Sequence, residues 1–271
     1  MENRKKRRIW VVLVLSHLAP GLGQLYNGEA LKAFILYGAN ALLVVTVRVA
    51  LGNFYGAVVW ALCAIALYFA MLIDALIRCI RQKEIVLTWY TRWHVYLLVI
   101  VANFVFNSFA LIQPYHAYVN VGASMEPSLR LGDRVIVDTA YYTHHTMTRG
   151  DVVVFLFPDE PHTKLLKRVI GLPGETVEVV NSQVVVNGEV LEEPYADQGM
   201  KEERLHANDP RQNFGPVVVP ADSVFVLGDK RWESFDSRFW KNRYVTTESI
   251  IGKALYLYWA KNLTRLGMVV E

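Results

Sequence analysis

The chain has 271 residues, enough for one large domain or two; 53% of them are hydrophobic and 20% are charged. This composition excludes a disordered or fibrous chain and argues against an entirely soluble one. Residues 1–113 hold 11 Lys and Arg against 4 Asp and Glu, whereas residues 114–271 hold 17 against 21. A basic, apolar first half predicts a membrane anchor (1–113), and the mildly acidic second half predicts an attached domain (114–271) without nucleic-acid binding.

Three stretches of the first half are long and apolar enough to cross a bilayer, which takes about 20 residues. They run over 31–51, 57–77 and 94–113. A fourth stretch, 9–26, contains the sequence Pro-Gly-Leu-Gly at 20–23, which ends a helix after about three turns. This stretch either crosses the membrane or dips into it and returns on the same side.

Basic residues predict the orientation of the anchor, because they stay on the cytoplasmic side. The tract 4–8 is entirely basic, and the segment 78–92 carries four basic residues against one acidic residue. If 9–26 dips in and returns, three spans place both basic segments inside and everything after residue 113 outside. The charges favour this re-entrant arrangement, which makes the second half extracytoplasmic.

The second half consists of short runs of alternating apolar residues separated by turn residues. Runs such as 134–139 and 176–180 predict strands, and Asn187-Gly188 predicts a two-residue hairpin turn. We find no long helical period there. The pattern predicts a mostly β domain, in which the polar segment 196–214 is an exposed excursion.

The sequence of the second half gives no evidence for metal or thiol chemistry. Both cysteines, Cys63 and Cys79, lie in the first half, and the chain contains no His-Glu-x-x-His sequence. His144 and His145 are adjacent, so their side chains diverge. There is also no Gly-x-Ser-x-Gly elbow, which argues against a Ser-His-Asp hydrolase. The sequence therefore predicts no metal and no cofactor.

Ser124 is a candidate nucleophile. It lies in the sequence Val-Gly-Ala-Ser-Met-Glu-Pro-Ser at 121–128, after a predicted strand and before a proline-containing turn. Such a turn can expose a hydroxyl and aim backbone N–H groups at an oxyanion, although an ordinary serine turn fits the same residues. A serine also needs a base, because its hydroxyl is a poor nucleophile at neutral pH.

Lys167 is the candidate base. On a strand it shares a face with Leu165 and Val169. Apolar neighbours deprive an ammonium of hydration and so favour the neutral amine. Lowering its pKa from about 10.4 to about 7–8 takes roughly 3–5 kcal/mol, which a buried site can supply. Taken alone, the residue is explained more simply as a strand lysine that reaches solvent.

The order of four motifs distinguishes these interpretations. The serine motif is followed by Arg-Gly-Asp-Val-Val-Val-Phe at 149–155, by Lys-Arg-Val-Ile-Gly-Leu-Pro-Gly-Glu at 167–175 and by Gly-Asp-Lys-Arg-Trp-Glu-Ser-Phe-Asp-Ser-Arg at 228–238. In this order they resemble the type I signal peptidases (leader peptidases), membrane-bound proteases with a Ser/Lys dyad that cleave signal peptides from exported proteins. The resemblance covers about residues 118–260 and leaves the anchor half uncovered.

The resemblance implies that Ser124 is the nucleophile and Lys167 the general base. It also implies that Ser234 hydrogen-bonds to the lysine and orients it, and that the Ser124 backbone N–H stabilises the oxyanion. Some members carry a second donor, a serine hydroxyl, where this chain has Gly122, so that donor is missing. Supporting roles, more structural than chemical, fall on Arg168, Asp236 and Arg238.

The chain departs from the family pattern close to these residues. Lys230 stands where Asn is usual, and Trp232-Glu233 stands where Asp-Asn is usual. After Trp240 the usual Gly is replaced by residues 241–243, which resemble a small insertion. None of these changes removes the dyad, but they leave the packing of the segment open.

The sequence thus predicts an N-terminal α-helical transmembrane region followed by a mostly β extracytoplasmic catalytic domain of signal-peptidase type, in a multi-pass protein of the cytoplasmic membrane. We expect a serine endopeptidase that removes signal peptides through an acyl-enzyme. Its expected partners are the lipid bilayer and preproteins with small residues at −1 and −3. Two alternatives stay open: a dedicated peptidase for one pilin or transfer-system substrate, and a catalytically inactive membrane-bound binding module.

Overall fold

The computed structural model describes residues 4–82, 84–110, 114–197 and 209–270. The chain divides into two compact units, Met1–Gln113 and Pro114–Glu271. The first is mainly helical and the second is mostly β. This architecture confirms the predicted fold class, a helical N-terminal region followed by a β domain.

The described part of the first unit contains five α-helices. Two of them, Ala30–Ala50 and Phe54–Arg81, are long and apolar enough to cross a membrane, with mean hydropathies of 1.8 and 2.4. The last helix is apolar but shorter, and residues 111–113 of the predicted span 94–113 lie outside the described residues. In chain order the helices are α1 (Ile9–Leu18), α2 (Leu22–Tyr26), α3 (Ala30–Ala50), α4 (Phe54–Arg81) and α5 (Trp93–Ala110).

The stretch 9–26 forms two short helices, α1 and α2, joined by a sharp turn. Gly21 in this turn has a φ of +81°, a left-handed conformation that glycine adopts without steric cost. A Cβ at this position would lie 2.5 Å from the carbonyl oxygen of Ala33. Glycine therefore allows both the turn and the close approach of the chain to α3.

The two ends of this stretch lie together. The guanidinium of Arg7, just before α1, donates hydrogen bonds to the carbonyl oxygens of Asn27 (2.6 Å), just after α2, and of Arg78 (3.1 Å), near the end of α4. The strand Arg4–Lys6 (β1) pairs with Glu84–Val86 (β2), which follows α4. The stretch therefore begins and ends at the end of the unit where α4 terminates.

The second unit is built on two antiparallel sheets. Its described strands are β3 (Tyr115–Val119), β4 (Arg134–Asp138), β5 (Val152–Phe157), β6 (Glu160–Gly171), β7 (Thr176–Val180), β8 (Gln183–Val186), β9 (Glu189–Val190), β10 (Phe214–Val218), β11 (Ser223–Leu227), β12 (Val245–Thr246) and β13 (Ile250–Trp259). The larger sheet has the order β12-β11-β6-β5-β13-β4-β3, and the smaller has β10-β7-β8-β9.

Several local predictions are confirmed in this unit. The runs 134–139 and 176–180 form β4 and β7. Asn187 and Gly188 both have positive φ, +53° and +84°, and they connect β8 to β9 as a hairpin turn requires. Most of the predicted excursion 196–214 lies outside the described residues.

Strand β5 is buried on both faces and forms the centre of the larger sheet. Val152 and Val154 pack in one apolar cluster, and Val153 and Phe155 pack in another. This division follows from the alternation of side chains along a strand. Because its neighbour β6 shares this buried setting, a charged side chain on β6 can be held away from water.

The topology brings the four motifs to one region of the larger sheet. The serine motif lies in the connection between β3 and β4, and Lys167 lies on β6, which pairs with β5 on one side and β11 on the other. The segment 228–238 directly follows β11. Residues far apart in the sequence can therefore meet beside Lys167.

Candidate active site

The loop that carries Ser124 is anchored in the core on both sides of the serine. Met125, the next residue, and Leu129 are fully buried in the cluster that contains Val152 and Val154. Asn120 Nδ2 lies 2.9, 3.2 and 3.1 Å from three carbonyl oxygens of the loop, those of Gly122, Leu129 and Arg130. The hydrogen bonds of Asn120 and the two buried side chains hold the backbone of the loop in place. They therefore determine where the Ser124 hydroxyl lies.

Two basic residues from other parts of the chain bond to the same loop. The backbone N–H of Lys230 donates to the carbonyl oxygen of Ser124 at 3.0 Å. Arg265 donates to the carbonyl oxygen of Ser128 at 2.6 Å and forms a buried ion pair with Asp133 at 2.5 Å. These contacts connect the loop to the segment after β11 and to the C-terminal part of the chain.

Lys167 is brought directly to this serine. Its Nζ lies 2.5 Å from Ser124 Oγ, and the lysine is only 4% exposed. Burial lowers the pKa of Lys167 from its ordinary value of 10.5 to about 8. A neutral amine at this position can accept the proton of the hydroxyl as the serine attacks a carbonyl group.

Asp236 and Arg238 form a buried ion pair close to this amine. Arg238 Nε and Nη2 each lie 2.8 Å from a carboxylate oxygen of Asp236. Burial acts to raise the pKa of the Asp236 carboxyl, but Arg238, Ser234 and Lys167 together outweigh it, and the pKa is lowered. For Lys167 the two partners act in opposite directions, because Asp236 raises its pKa and Arg238 lowers it. The pair thus leaves desolvation as the dominant influence on the lysine.

Arg168 and Asp229 form a second buried pair on the other face of β6. Arg168 Nε and Nη2 lie 2.8 and 2.7 Å from the two carboxylate oxygens, and both side chains are fully buried. The same guanidinium donates to the Gly150 carbonyl oxygen at 2.7 Å and to Ser128 Oγ at 3.3 Å, and it lies 3.9 Å from the ring centroid of Tyr195. Arg168 therefore joins four segments, those that carry Ser128, Gly150, Tyr195 and Asp229.

Ser234 lies close to the serine loop but does not bond to the lysine. Its Oγ is buried and has no regular hydrogen-bond partner among the described residues, although the hydroxyl contributes to the lowered pKa of Asp236. The implied hydrogen bond to Lys167 is thus not formed here, where Lys167 Nζ is directed at Ser124. A Cβ on Gly228 would lie 2.2 Å from Ser234 Oγ and 2.4 Å from the Ser124 carbonyl oxygen, so glycine is needed for this approach.

The departures from the family pattern form contacts with one another and with the loop. Lys230 Nζ lies 3.0 Å from Glu126 and 2.5 Å from Glu233, and 4.9 Å from the ring centroid of Trp232. Residues 241–243 are also anchored, since the backbone N–H groups of Lys241 and Asn242 donate to the Asp159 carboxylate at 2.9 and 2.8 Å. These ties keep the segment 228–243 packed despite its unusual sequence.

A comparison with known proteins identifies the family. The family model described as signal peptidase, peptidase S26, matches residues 90–259. The chain is 42% identical over 151 residues to signal peptidase I of Leptolyngbya laminosa, which covers 53% of this chain and 68% of that protein. It is 34% identical over 186 residues to signal peptidase I of Bacillus amyloliquefaciens, which covers 68% of this chain and 94% of that protein. The chain belongs to the signal peptidase family.

Membership of the signal peptidase family confirms the resemblance carried by the four motifs, and it makes the chain a serine peptidase that cleaves signal peptides. Among solved structures, a signal peptidase I from Enterococcus faecalis is 32% identical; the match covers 40% of this chain and 97% of that one, with a TM-score of 0.33. The family model begins at residue 90, so most of the helical unit lies outside the match.

Opposite shifts in the pH dependence should follow from changes to the Asp236–Arg238 pair. Asp236→Asn removes a charge that raises the lysine pKa, so the pH at which activity is half-maximal should fall. Arg238→Gln removes a charge that lowers it and leaves Asp236 unpaired, so that pH should rise. The measurement is kcat/KM against pH on full-length protein, with thermal unfolding as a check on folding. The double variant should lie between the two, and shifts in the same direction would contradict this electrostatic account.

The space beside Gly122 can hold the side chain of an additional oxyanion donor. The Ser124 backbone N–H donates no hydrogen bond to any described residue, and a Cβ added at Gly122 meets no atom within 4 Å. Gly122→Ser should therefore fold normally and hold or raise kcat; elsewhere one such donor is worth about 3–4 kcal/mol. Gly122→Ala is the matched control for the added bulk. A loss of more than about tenfold in kcat for the serine variant alone would count against the placement of the oxyanion here.

Proposed function

We propose that this chain removes signal peptides from exported preproteins with Ser124 as nucleophile and Lys167 as general base, through an acyl-enzyme. The observation that carries the proposal is the contact of 2.5 Å between Lys167 Nζ and Ser124 Oγ, in which the amine is buried and its pKa is lowered to about 8. At neutral pH roughly a tenth of such an amine is neutral, which suffices for proton transfer.

The steps follow from this contact. Lys167 takes the Ser124 proton while Oγ attacks the scissile carbonyl carbon, and the Ser124 backbone N–H stabilises the oxyanion. The tetrahedral species collapses, the peptide C–N bond breaks, and the ammonium returns its proton to the leaving amine. Neutral Lys167 then activates a water molecule, which hydrolyses the acyl-enzyme. The preference for small residues at −1 and −3 is proposed because the chain belongs to the family.

The helical unit is proposed to be a multi-pass anchor that leaves the catalytic unit outside the cytoplasmic membrane. Support comes from Arg7, which links the start of α1 to the residue after α2 and to the end of α4. A stretch that begins and ends on one side is re-entrant, so α3, α4 and α5 remain as the crossing helices. The basic segments 4–8 and 78–92 are then both cytoplasmic.

The dyad is tested by substitution on full-length protein with a preprotein substrate and N-terminal sequencing of the product. Ser124→Ala and Lys167→Ala should each abolish cleavage, and the double variant should be no worse, because members of one catalytic unit are not additive. Lys167→Arg should also fail, since a guanidinium stays charged. The matched control is Lys164→Ala, an exposed lysine on the same strand.

The wild-type rate should rise with pH through about 8, because the base works in its neutral form. Near-normal cleavage by Lys167→Ala would assign the base to another residue. Cleavage of several unrelated preproteins would indicate a general peptidase, and cleavage of one alone a dedicated peptidase.

The orientation is tested by fusing a reporter to the chain at two positions. A reporter after residue 85 should behave as cytoplasmic, since the basic residues of 78–92 hold that segment inside. A reporter after residue 200 should behave as exported. The opposite behaviour at either position would contradict the three-span arrangement.

A further inference from the structure

An apolar groove of about 310 Å³ lies within the helical unit, outside the proposed catalytic machinery. Small residues create it where α2, α3 and α5 approach one another, and the left-handed Gly21 forms part of its wall. Its lining includes Gly21, Ala30, Ala33, Phe34, Val99 and Ala102. Its lining is almost entirely apolar, so a ligand in its depth must be hydrocarbon.

The groove is elongated along two helices. Along α3 the lining runs from Ala30 to Tyr37, and along α5 from Val95 to Ala102. Each stretch is about 10 Å long at 1.5 Å per residue. A hydrocarbon chain can therefore lie in the groove along both helices, and the charges at the end of the groove select the headgroup attached to that chain.

One end of the groove lies at the end of the unit where α4 terminates. This end carries the basic segments 4–8 and 78–92 and is called the basic end below. Trp89 and Tyr90 line this end, and the Tyr90 hydroxyl donates to the carbonyl oxygen of Gly28 at 3.1 Å. The preceding residue, Asn27, accepts the hydrogen bond from Arg7. Tryptophan and tyrosine are typical of the membrane–water interface. The groove thus extends from the interface at the basic end into the apolar part of the unit.

Cations at this end complement an anionic headgroup. Arg92, two residues after Tyr90 and directly before α5, is exposed. Arg8 and Arg81 lie at the same end, whereas the acidic Glu29 there lies 3.3 Å from Arg78. Basic pockets between transmembrane helices on the cytoplasmic side are typical binding sites for anionic lipid headgroups.

We propose that this groove binds an anionic phospholipid, with one acyl chain between α3 and α5 and the phosphate beside Arg92. The proposal rests on the membrane orientation proposed above and does not depend on the Ser124/Lys167 chemistry. Its test therefore measures lipid binding rather than peptide cleavage, so that failure of one proposal is distinguishable from failure of the other.

The first experiment is a native mass spectrometry titration of delipidated full-length protein in detergent with phosphatidylglycerol or phosphatidylcholine of identical acyl chains. Phosphatidylglycerol should bind about fivefold more tightly, the effect of about one basic residue near the phosphate. Arg92→Gln should remove this preference, whereas Arg48→Gln, at the other end of α3, should keep it. Ala102→Phe should weaken binding of both lipids by about tenfold because it fills the groove, and Val101→Phe, at an exposed neighbouring position, should not.

A second measurement keeps the proposal testable if Ala102→Phe fails to fold. A phosphatidylglycerol with a photoreactive acyl chain, in vesicles with the wild-type protein, should label Phe34, Tyr37 or Val99. Equal affinity for the two lipids, or labelling confined to the outer face of α4, would overturn the proposal. Displacement of the lipid by a synthetic signal peptide would also overturn it, as would binding of inorganic phosphate equal to that of the lipid.

Discussion

Lys167 Nζ lies 2.5 Å from Ser124 Oγ in a place from which water is largely excluded, and loss of hydration is the strongest influence on its charge. Two carboxylates, Asp236 and Asp229, favour the ammonium and oppose this effect. Each is paired with a buried arginine, so neither attracts the lysine proton at full strength. The amine can therefore be neutral near physiological pH, which is the property that the proposed base requires.

The surrounding structure keeps these four charged groups in place rather than adding much stability. Buried ion pairs contribute little net stability, because desolvation offsets their attraction, but removal of one partner is costly. Arg168 connects β6 to the segment after β11 through Asp229 and reaches the serine loop through Ser128, whereas Arg238 bonds within that segment, to Asp236 and to the Arg231 carbonyl oxygen. The central, doubly buried position of β5 next to β6 supplies the dry environment. The site thus depends on sheet topology as much as on any single residue.

Local sequence patterns predicted the helical and β regions and the hairpin turn at Asn187, because periodicity and turn chemistry are encoded over short distances. The order of the motifs singled out Ser124 and Lys167, whose side chains meet in the structure. The contacts of the site were not predictable in this way. Asp229 pairs with a residue 61 positions away, and Lys230 pairs with Glu126, 104 positions away. The anchoring of residues 241–243 by Asp159 likewise required the fold. Ser234 illustrates the limit of a motif, since a matching residue type does not determine its hydrogen-bond partner.

The pKa of Lys167 itself is the most direct test of this account. Full-length protein in detergent, with lysine labelled with ¹³C at Cε, can be titrated by NMR, and the Lys167 signal can be assigned by its loss in Lys167→Met. The account predicts that this signal titrates near pH 8, well below the ordinary lysine value of 10.5. A Lys167 signal that titrates at the ordinary value would contradict it, because the amine would then be charged at neutral pH and unable to accept the serine proton.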